Sequence, residues 1–378
     1  MKARIEDVAA LRAISPTSLA AYVKAEGWEK ADRYGDHSTV YTKADAPELL
    51  LPDTDELADY HAVVSAILGY VAKFEERDEL QVYRDLVEAE SDVIRIRAPA
   101  TLDDGSIRIA TGVDIFLQAR EMLLSAACAA TTPRAAYRAG KVKEAVTYMD
   151  KVRLGQTEQG SFVVTLLAPV PANAAYIQGQ LWPSEDKEPF ERRVTQVLTS
   201  GLTAACTAAE EVLKGQAISA FQDFISSGVN ANLCDSLSVL LEQAGTLDVS
   251  VTWAKTRPAP ERRSQIRFYQ SRAIIFRQAA DYFRSIEPRS GERLEGYVIS
   301  LGRSLRSSSG HISFKTSVDQ KPVSVKVKLE GPLYKRALNA HETKTPIALT
   351  GDLIRKGYRW ELETPHSLEV LDDDVPEN

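Results

Sequence analysis

Apolar positions along the chain change their spacing repeatedly, and each change marks an element. Behind Ser15-Pro16, an N-cap and first-turn pair, the side chains Leu19, Ala20, Tyr22 and Val23 share one helical face, and Gly27 ends the run. Three short strand patterns follow. Trp28 to Tyr34 is one, β-branched and aromatic Ser38 to Thr42 follows the Gly35-Asp36 turn, and Glu48 to Leu51 is stopped by Pro52. From about Asp55, Leu57, Tyr60, Val63, Val64, Ile67, Leu68 and Val71 recur at helical spacing. The sum is an α-β-β-β-α module, assigned to residues 1–88.

The next stretch, 89–287, mixes both periods and predicts an α/β domain. Val93 to Arg97 alternates as a half-buried strand, and Val113 to Ala130 reads as an apolar helix. Runs 151–154 and 162–167 flank a polar loop, Gly155 to Gly160, and suggest a hairpin. Helices over 189–214 and 230–244 precede strands at Leu247 to Trp253 and Gln265 to Tyr269 and a helix over 271–285. Pro288-Arg289-Ser290-Gly291 reads as a linker.

Beyond it, Val323, Val325, Val327 and Leu329 alternate with Ser324, Lys326, Lys328 and Glu330, which points one face inward and one outward. Pro332 begins a helix through about His341, and Ile347 to Gly351 pairs with Tyr358 to Leu362 across Arg355-Lys356-Gly357. From Leu294 the order is strand, strand, strand, short helix, strand, strand. Residues 291–371 therefore resemble an OB-type barrel. The expected fold class is α+β and multidomain: N-terminal α-β-β-β-α module, α/β middle and C-terminal OB-like barrel. A short acidic tail, 372–378, is expected to fray.

Composition narrows the chemistry. With 46 basic and 53 acidic residues among 378, the net charge is −7, so attraction to a polyanion needs a local basic face. The cysteines, Cys128, Cys206 and Cys234, are far apart in helix-like text and read as buried free thiols. With five histidines and no CxxC or HExxH pattern, neither a metal nor a cofactor is expected. The stretch MKARIEDVAALRAI lacks a signal-peptide core, and no apolar run reaches membrane-spanning length, so a bacterial-type protein of the reducing cytoplasm is expected.

Between Gly291 and Val370 thirteen Lys and Arg stand against nine Asp and Glu, a local reversal of the overall sign. Lys315, Lys326, Lys328, Arg355, Lys356 and Arg359 are candidates for an outer face, with Tyr297 or Phe314 as stacking platforms. Arg303 and Arg306 come from the Ser-rich loop Gly302 to Gly310. Single-strand binders combine these two elements, cations along the phosphates and rings under the bases. Glu361 and Glu363 share the side of Arg359, so the alternative is a mixed-charge barrel that docks on protein. Trp360, in phase with Leu362, is assigned to the core. The loop Gly155 to Gly160 lacks the Lys-Ser/Thr of a phosphate loop. Together with Arg153, its Gln156, Thr157 and Glu158 form either a polar binding edge or a plain turn.

At the other end, a helix ending at Gly27-Trp28, the turn Gly35-Asp36-His37 and a strand ending at Leu51-Pro52 resemble the HicA-type mRNA interferase fold, a double-stranded-RNA-binding-domain-like toxin. The family's Gly-Ser-His motif carries a catalytic histidine. The resemblance places that role at His37, with Asp36 standing where serine is expected. Lys24, Lys30, Arg33 and Lys43 are candidate phosphate contacts, within a field that Glu26, Glu29, Asp32, Asp45 and Glu48 partly cancel. The expected function is a non-catalytic accessory subunit engaging nucleic acid, or a nucleic-acid-processing partner, through its terminal modules. The alternatives are a protein–protein adaptor and a ribonuclease using His37.

Overall fold

Ser15 opens its helix as the pattern predicts: its hydroxyl accepts from the Ser18 amide at 2.9 Å. The chain leaves that helix through Gly27, and the Trp28 amide then donates to the Val23 carbonyl at 2.9 Å. The computed structural model describes residues 4–98, 107–137, 142–156, 162–177, 188–259, 263–303, 309–318, 320–356 and 359–371. The chain divides into two units, 1–280 and 281–378, so the N-terminal module and the middle belong to one unit.

The module runs α1 (Val8–Arg12), α2 (Pro16–Ala25), β1 (Glu29–Tyr34), β2 (Ser38–Lys43), β3 (Ala46–Pro52), α3 (Tyr60–Phe74) and α4 (Glu79–Glu88). Its sheet is the antiparallel meander β1-β2-β3. Tyr22, Trp28, Tyr41, Leu51, Tyr60 and Leu68 meet in its core, whereas β1 is exposed along its whole length. The α-β-β-β-α order is present. Two helices that the sequence pattern did not mark, α1 and α4, extend it. Helix α4 starts where the Asp78 carboxylate accepts from the Leu80 amide at 2.8 Å, and it buries Val82 and Leu86, one turn apart.

The middle continues with β4 (Ser91–Ala98), α5 (Ile109–Thr131), α6 (Lys143–Met149), β5 (Arg153–Leu154), β6 (Phe162–Pro169), α7 (Ala174–Ile177), α8 (Phe190–Leu213), a 3₁₀ segment (Ile218–Ser227), α9 (Ala231–Ala244), β7 (Thr246–Thr252), β8 (Arg263–Tyr269) and α10 (Ala273–Ile286). The strands form one sheet in the order β5-β6-β4-β7-β8, with every neighbouring pair antiparallel. The expected hairpin is there, with Arg153 opposite Leu167 and Leu154 opposite Leu166. Helix α5 packs on α8 and α9. Cys128 and Cys234 are buried free thiols as expected, but Cys206 is only half-buried, with Arg272 Nη1 2.7 Å from its sulfur.

Beneath the helices lies a wholly buried ion pair, Arg192 Nη1 to Asp92 Oδ1 at 3.4 Å. Asp92 Oδ1 also accepts from the Ala254 amide at 2.8 Å, and the Arg192 guanidinium lies 5.1 Å from the Trp253 ring centroid. Asp92 Oδ2 and Arg192 Nε make no hydrogen bond. Burial pushes the Asp92 carboxyl up to about 6 against the opposing pull of Arg192, and burial lowers the guanidinium in turn.

The second unit holds β9 (Arg289–Arg303), β10 (Ser309–Val318), β11 (Lys321–Glu330), α11 (Gly331–Thr343), β12 (Ile347–Lys356) and β13 (Arg359–Val370). They close into a barrel in the order β10-β11-β13-β12-β9, with β11 and β13 parallel and the other pairs antiparallel. Five strands in this order, with the helix between the third and fourth, make the OB-like arrangement. Leu294, Val298, Phe314, Val325, Leu353 and Leu362 fill the interior, and α11 adds Tyr334, Ala337 and Ala340. Gly310 has no side chain because the Tyr334 ring stands there: a Cβ would meet it at 2.2 Å. The segment expected as a linker is corrected. Strand β9 begins at Arg289, and the Gly291 amide donates to Asp352 Oδ1 at 3.1 Å beside an irregularity in the β9–β12 ladder.

Candidate nucleic-acid interface

Strand register decides which polar side chains share the outer face of the barrel. Inward Phe314 lies between Val298 and Val325, so the neighbouring positions point outward. Lys315 stands opposite Tyr297 on one side and Ser324 on the other. One row along, Ser313 lies between Ser300 and Lys326, and the parallel β11–β13 pairing sets Lys326 against Glu361. The third row is Gly302, His311 and Lys328. Tyr297 keeps 51% of its surface and Ile299 keeps 50%. The β9 ladder slips between Ser313 and Phe314, which leaves Ile299 without an opposite number on β10.

Lys326, Lys328 and His311 line a depression of about 600 Å³ together with Glu330, Glu361 and Glu363. Two lysines thus share the depression with three carboxylates, Glu330 at the end of β11 and Glu361 and Glu363 on β13, while Tyr297, Lys315 and Ser324 do not line it. Arg303 does not share this face: it stands opposite Gly310, which is buried on the inward phase of β10, and 6.0 Å from the ring of Tyr334, a core residue of α11. Arg359 lies at the start of β13, opposite Lys356. Nearby, Arg355 lies 5.6 Å from the Trp360 ring. Arg306 and the side chain of Lys356 lie outside the described residues.

Three further site expectations change. Phe314 is fully buried and is core, not a stacking platform, because it falls on the inward phase of β10. Lys24 and Lys43 are turned inward rather than toward a ligand. The Lys24 ammonium donates to the Tyr176 carbonyl, and Lys43 donates to the Glu26 carbonyl at 2.7 Å while lying 4.3 Å from the Trp28 ring. Burial accordingly lowers the Lys24 pKa. Sequence reasoning did not select His311 or Ile299. His311 follows from the alternation of β10, but Ile299 depends on the ladder slip, which no local pattern announces.

His37 is exposed in the β1–β2 turn, where its carbonyl accepts from the Asp53 amide at 2.8 Å and Arg33 donates to the Asp36 carbonyl at 3.0 Å. These contacts shape the turn. Of the polar loop after β5, Gly155 continues the hairpin by donating to the Thr165 carbonyl at 2.8 Å, Gln156 and Arg153 are exposed, and Thr157 and Glu158 lie outside the described residues. Among the described residues no group of three or more His, Cys, Asp or Glu is placed to hold a metal ion, and no helix is long and apolar enough to cross a membrane. No protein-family model, curated protein or solved structure matches the chain.

Proposed function

We propose that this chain is a cytoplasmic, non-catalytic accessory protein whose C-terminal barrel engages single-stranded nucleic acid on the outer face of β9, β10 and β11. One observation carries the reading: exposed Tyr297 stands in register with Lys315, beside serines and Lys326, on a barrel of OB order. A half-exposed ring offers a π-face to any base, and the flanking ammonium groups follow the backbone phosphates, a pairing that binds strands with little sequence preference. The carboxylates beside Lys326 and Lys328 limit the strength of that attraction and confine it to the β9–β10 side.

The test is fluorescence anisotropy with labelled single-stranded DNA and RNA over a salt series. Affinity is expected to fall with salt, and Tyr297→Ala should weaken it by roughly 5- to 150-fold, the equivalent of about 1–3 kcal/mol for one stacked base. Lys315→Ala should lower the salt slope by about one. Absent binding, or binding indifferent to salt, removes the reading. A second reading, a protein adaptor, is favoured by the depression where Glu330, Glu361 and Glu363 alternate with Lys326 and Lys328. Such a surface complements mixed-charge protein better than a uniform polyanion. A chain that ignores nucleic acid but loses a protein partner on Glu361→Lys supports that alternative.

A further inference from the structure

Helix α5 leaves one apolar stripe uncovered at its N-terminal half. Ile109 is 87% exposed, Val113 and Leu117 are each 52% exposed, and Phe116 is partly exposed beside them. These positions, i, i+4, i+7 and i+8, run along one helical face for about 12 Å. Its C-terminal pair, Phe116 and Leu117, forms one wall of a cleft of about 420 Å³ whose other side is Met149, Val152, Leu154 and Leu166, and Val113 and Ile109 continue the apolar surface along the helix beyond it. Leu154, on the edge strand of the sheet, is 62% exposed. Phe116 is braced from below by Phe162, edge to face at 5.8 Å. A contiguous apolar surface with a fixed floor is the usual mark of an interaction site rather than of scattered surface residues.

We infer that this cleft is a docking site for an amphipathic helix of a partner protein that carries Asp or Glu beside its apolar stripe. Charge selects the partner. In a chain with net charge −7, the charged side chains lining the cleft among the described residues are Arg120 and Arg153, both basic. Among the described residues Arg120 pairs with its neighbour Glu121 at the exposed surface, and Arg153 makes no ion pair. Shape selects a helix over a strand. The edge strand β5 has only two residues and offers little backbone to an added strand, whereas the stripe on α5 presents a straight row of side chains to a ridge of another helix. The site is independent of the barrel, and its test uses no nucleic acid.

Two labelled synthetic helices share one leucine face, flanked by glutamates in the first and by lysines in the second. Titrated with the full chain, the acidic helix should bind roughly tenfold tighter or more, the reach of two reversed exposed charge pairs. Leu117→Glu should abolish its binding. The double change Arg120→Glu with Arg153→Glu should transfer the preference to the lysine helix. Both sites are at the surface, so an unchanged far-ultraviolet spectrum and melting curve should accompany the loss. If Leu117→Glu unfolds the chain, the double arginine variant alone decides. Equal binding of both helices, or binding of neither, overturns the proposal. It is also overturned if the chain forms a dimer that Leu117→Glu dissociates, since the face then belongs to a second copy.

Discussion

Replacing Arg192 by Met should destabilise the first unit far more than replacing both members of its buried pair. Asp92 and Arg192 are wholly buried 3.4 Å apart, and the guanidinium Nε and the carboxylate Oδ2 find no hydrogen bond. Burial therefore outweighs mutual attraction, and the Asp92 carboxyl stands at about 6 instead of 3.8. That displacement corresponds to about 3 kcal/mol held against the ionised native state at neutral pH. Removing Arg192 alone strands the carboxylate, for which the expected loss is about 3–5 kcal/mol at pH 7. Asp92→Asn with Arg192→Met removes both charges and keeps an acceptor for the Ala254 amide, so it should lie within about 1 kcal/mol of the parent or above it.

The sign of the pH dependence follows from the same displacement. Because the native carboxyl holds its proton to a higher pH than the unfolded one, the native state binds more protons between about 4 and 6. The contribution to stability is complete below pH 4 and is lost as the pH rises through 6. Urea unfolding followed by tryptophan fluorescence reports it, since Trp253 lies against Arg192. Parent stability should decline across this window, the double variant should lack that decline, and the decline of Arg192→Met should move to higher pH as the missing cation lets the carboxyl rise further. A single variant as stable as the double one, or a double variant with the parent's pH slope, would refute the reasoning.

Gly296→Ala should prevent the barrel from closing, because the new Cβ would stand 2.0 Å from the Lys315 carbonyl oxygen and backbone cannot yield. A loss above about 4 kcal/mol is expected, visible as rapid proteolysis of the second unit. Asn230→Ala should cost about 1–2 kcal/mol in urea unfolding, because the buried Asn230 amide group caps α9 by accepting from Leu233 at 3.0 Å and donating to the Gly228 carbonyl at 2.9 Å.

The barrel was legible because its strands are half-buried. In β11 the exposed and buried positions alternate through Ser324 to Glu330, so the period of two survives in the residue types. The start of β9 was not legible, since Arg289, Ser290 and Gly291 carry no apolar phase and their strand pairing is fixed by distant β12. In the middle, β4 is buried on both faces, Val93, Ile94 and Ile96 alike, and such a run does not tell which neighbours flank it or in which direction. The candidate site was half legible. Alternation put Lys326 and Lys328 outward, but their meeting with Glu361 and Glu363 depends on the parallel β11–β13 pairing across an intervening helix and strand. Lys24 and Lys43 show the converse: nothing local reveals that a surface-like cation will spend its charge on a carbonyl of its own chain.

The barrel face and the α5 cleft recruit by different forces, which makes them separable in one molecule. Binding through Lys315 and Lys326 releases counterions and weakens steeply with salt. Binding on Val113, Leu117 and Leu154 removes apolar surface from water, so it should carry a negative heat-capacity change and survive salt that has screened its two arginine contacts. A complex that keeps its protein partner at high salt while shedding nucleic acid has therefore used both surfaces. One that loses both together has used the charged face alone, and the exposed Ile109, Val113 and Leu117 of α5 would then need another explanation.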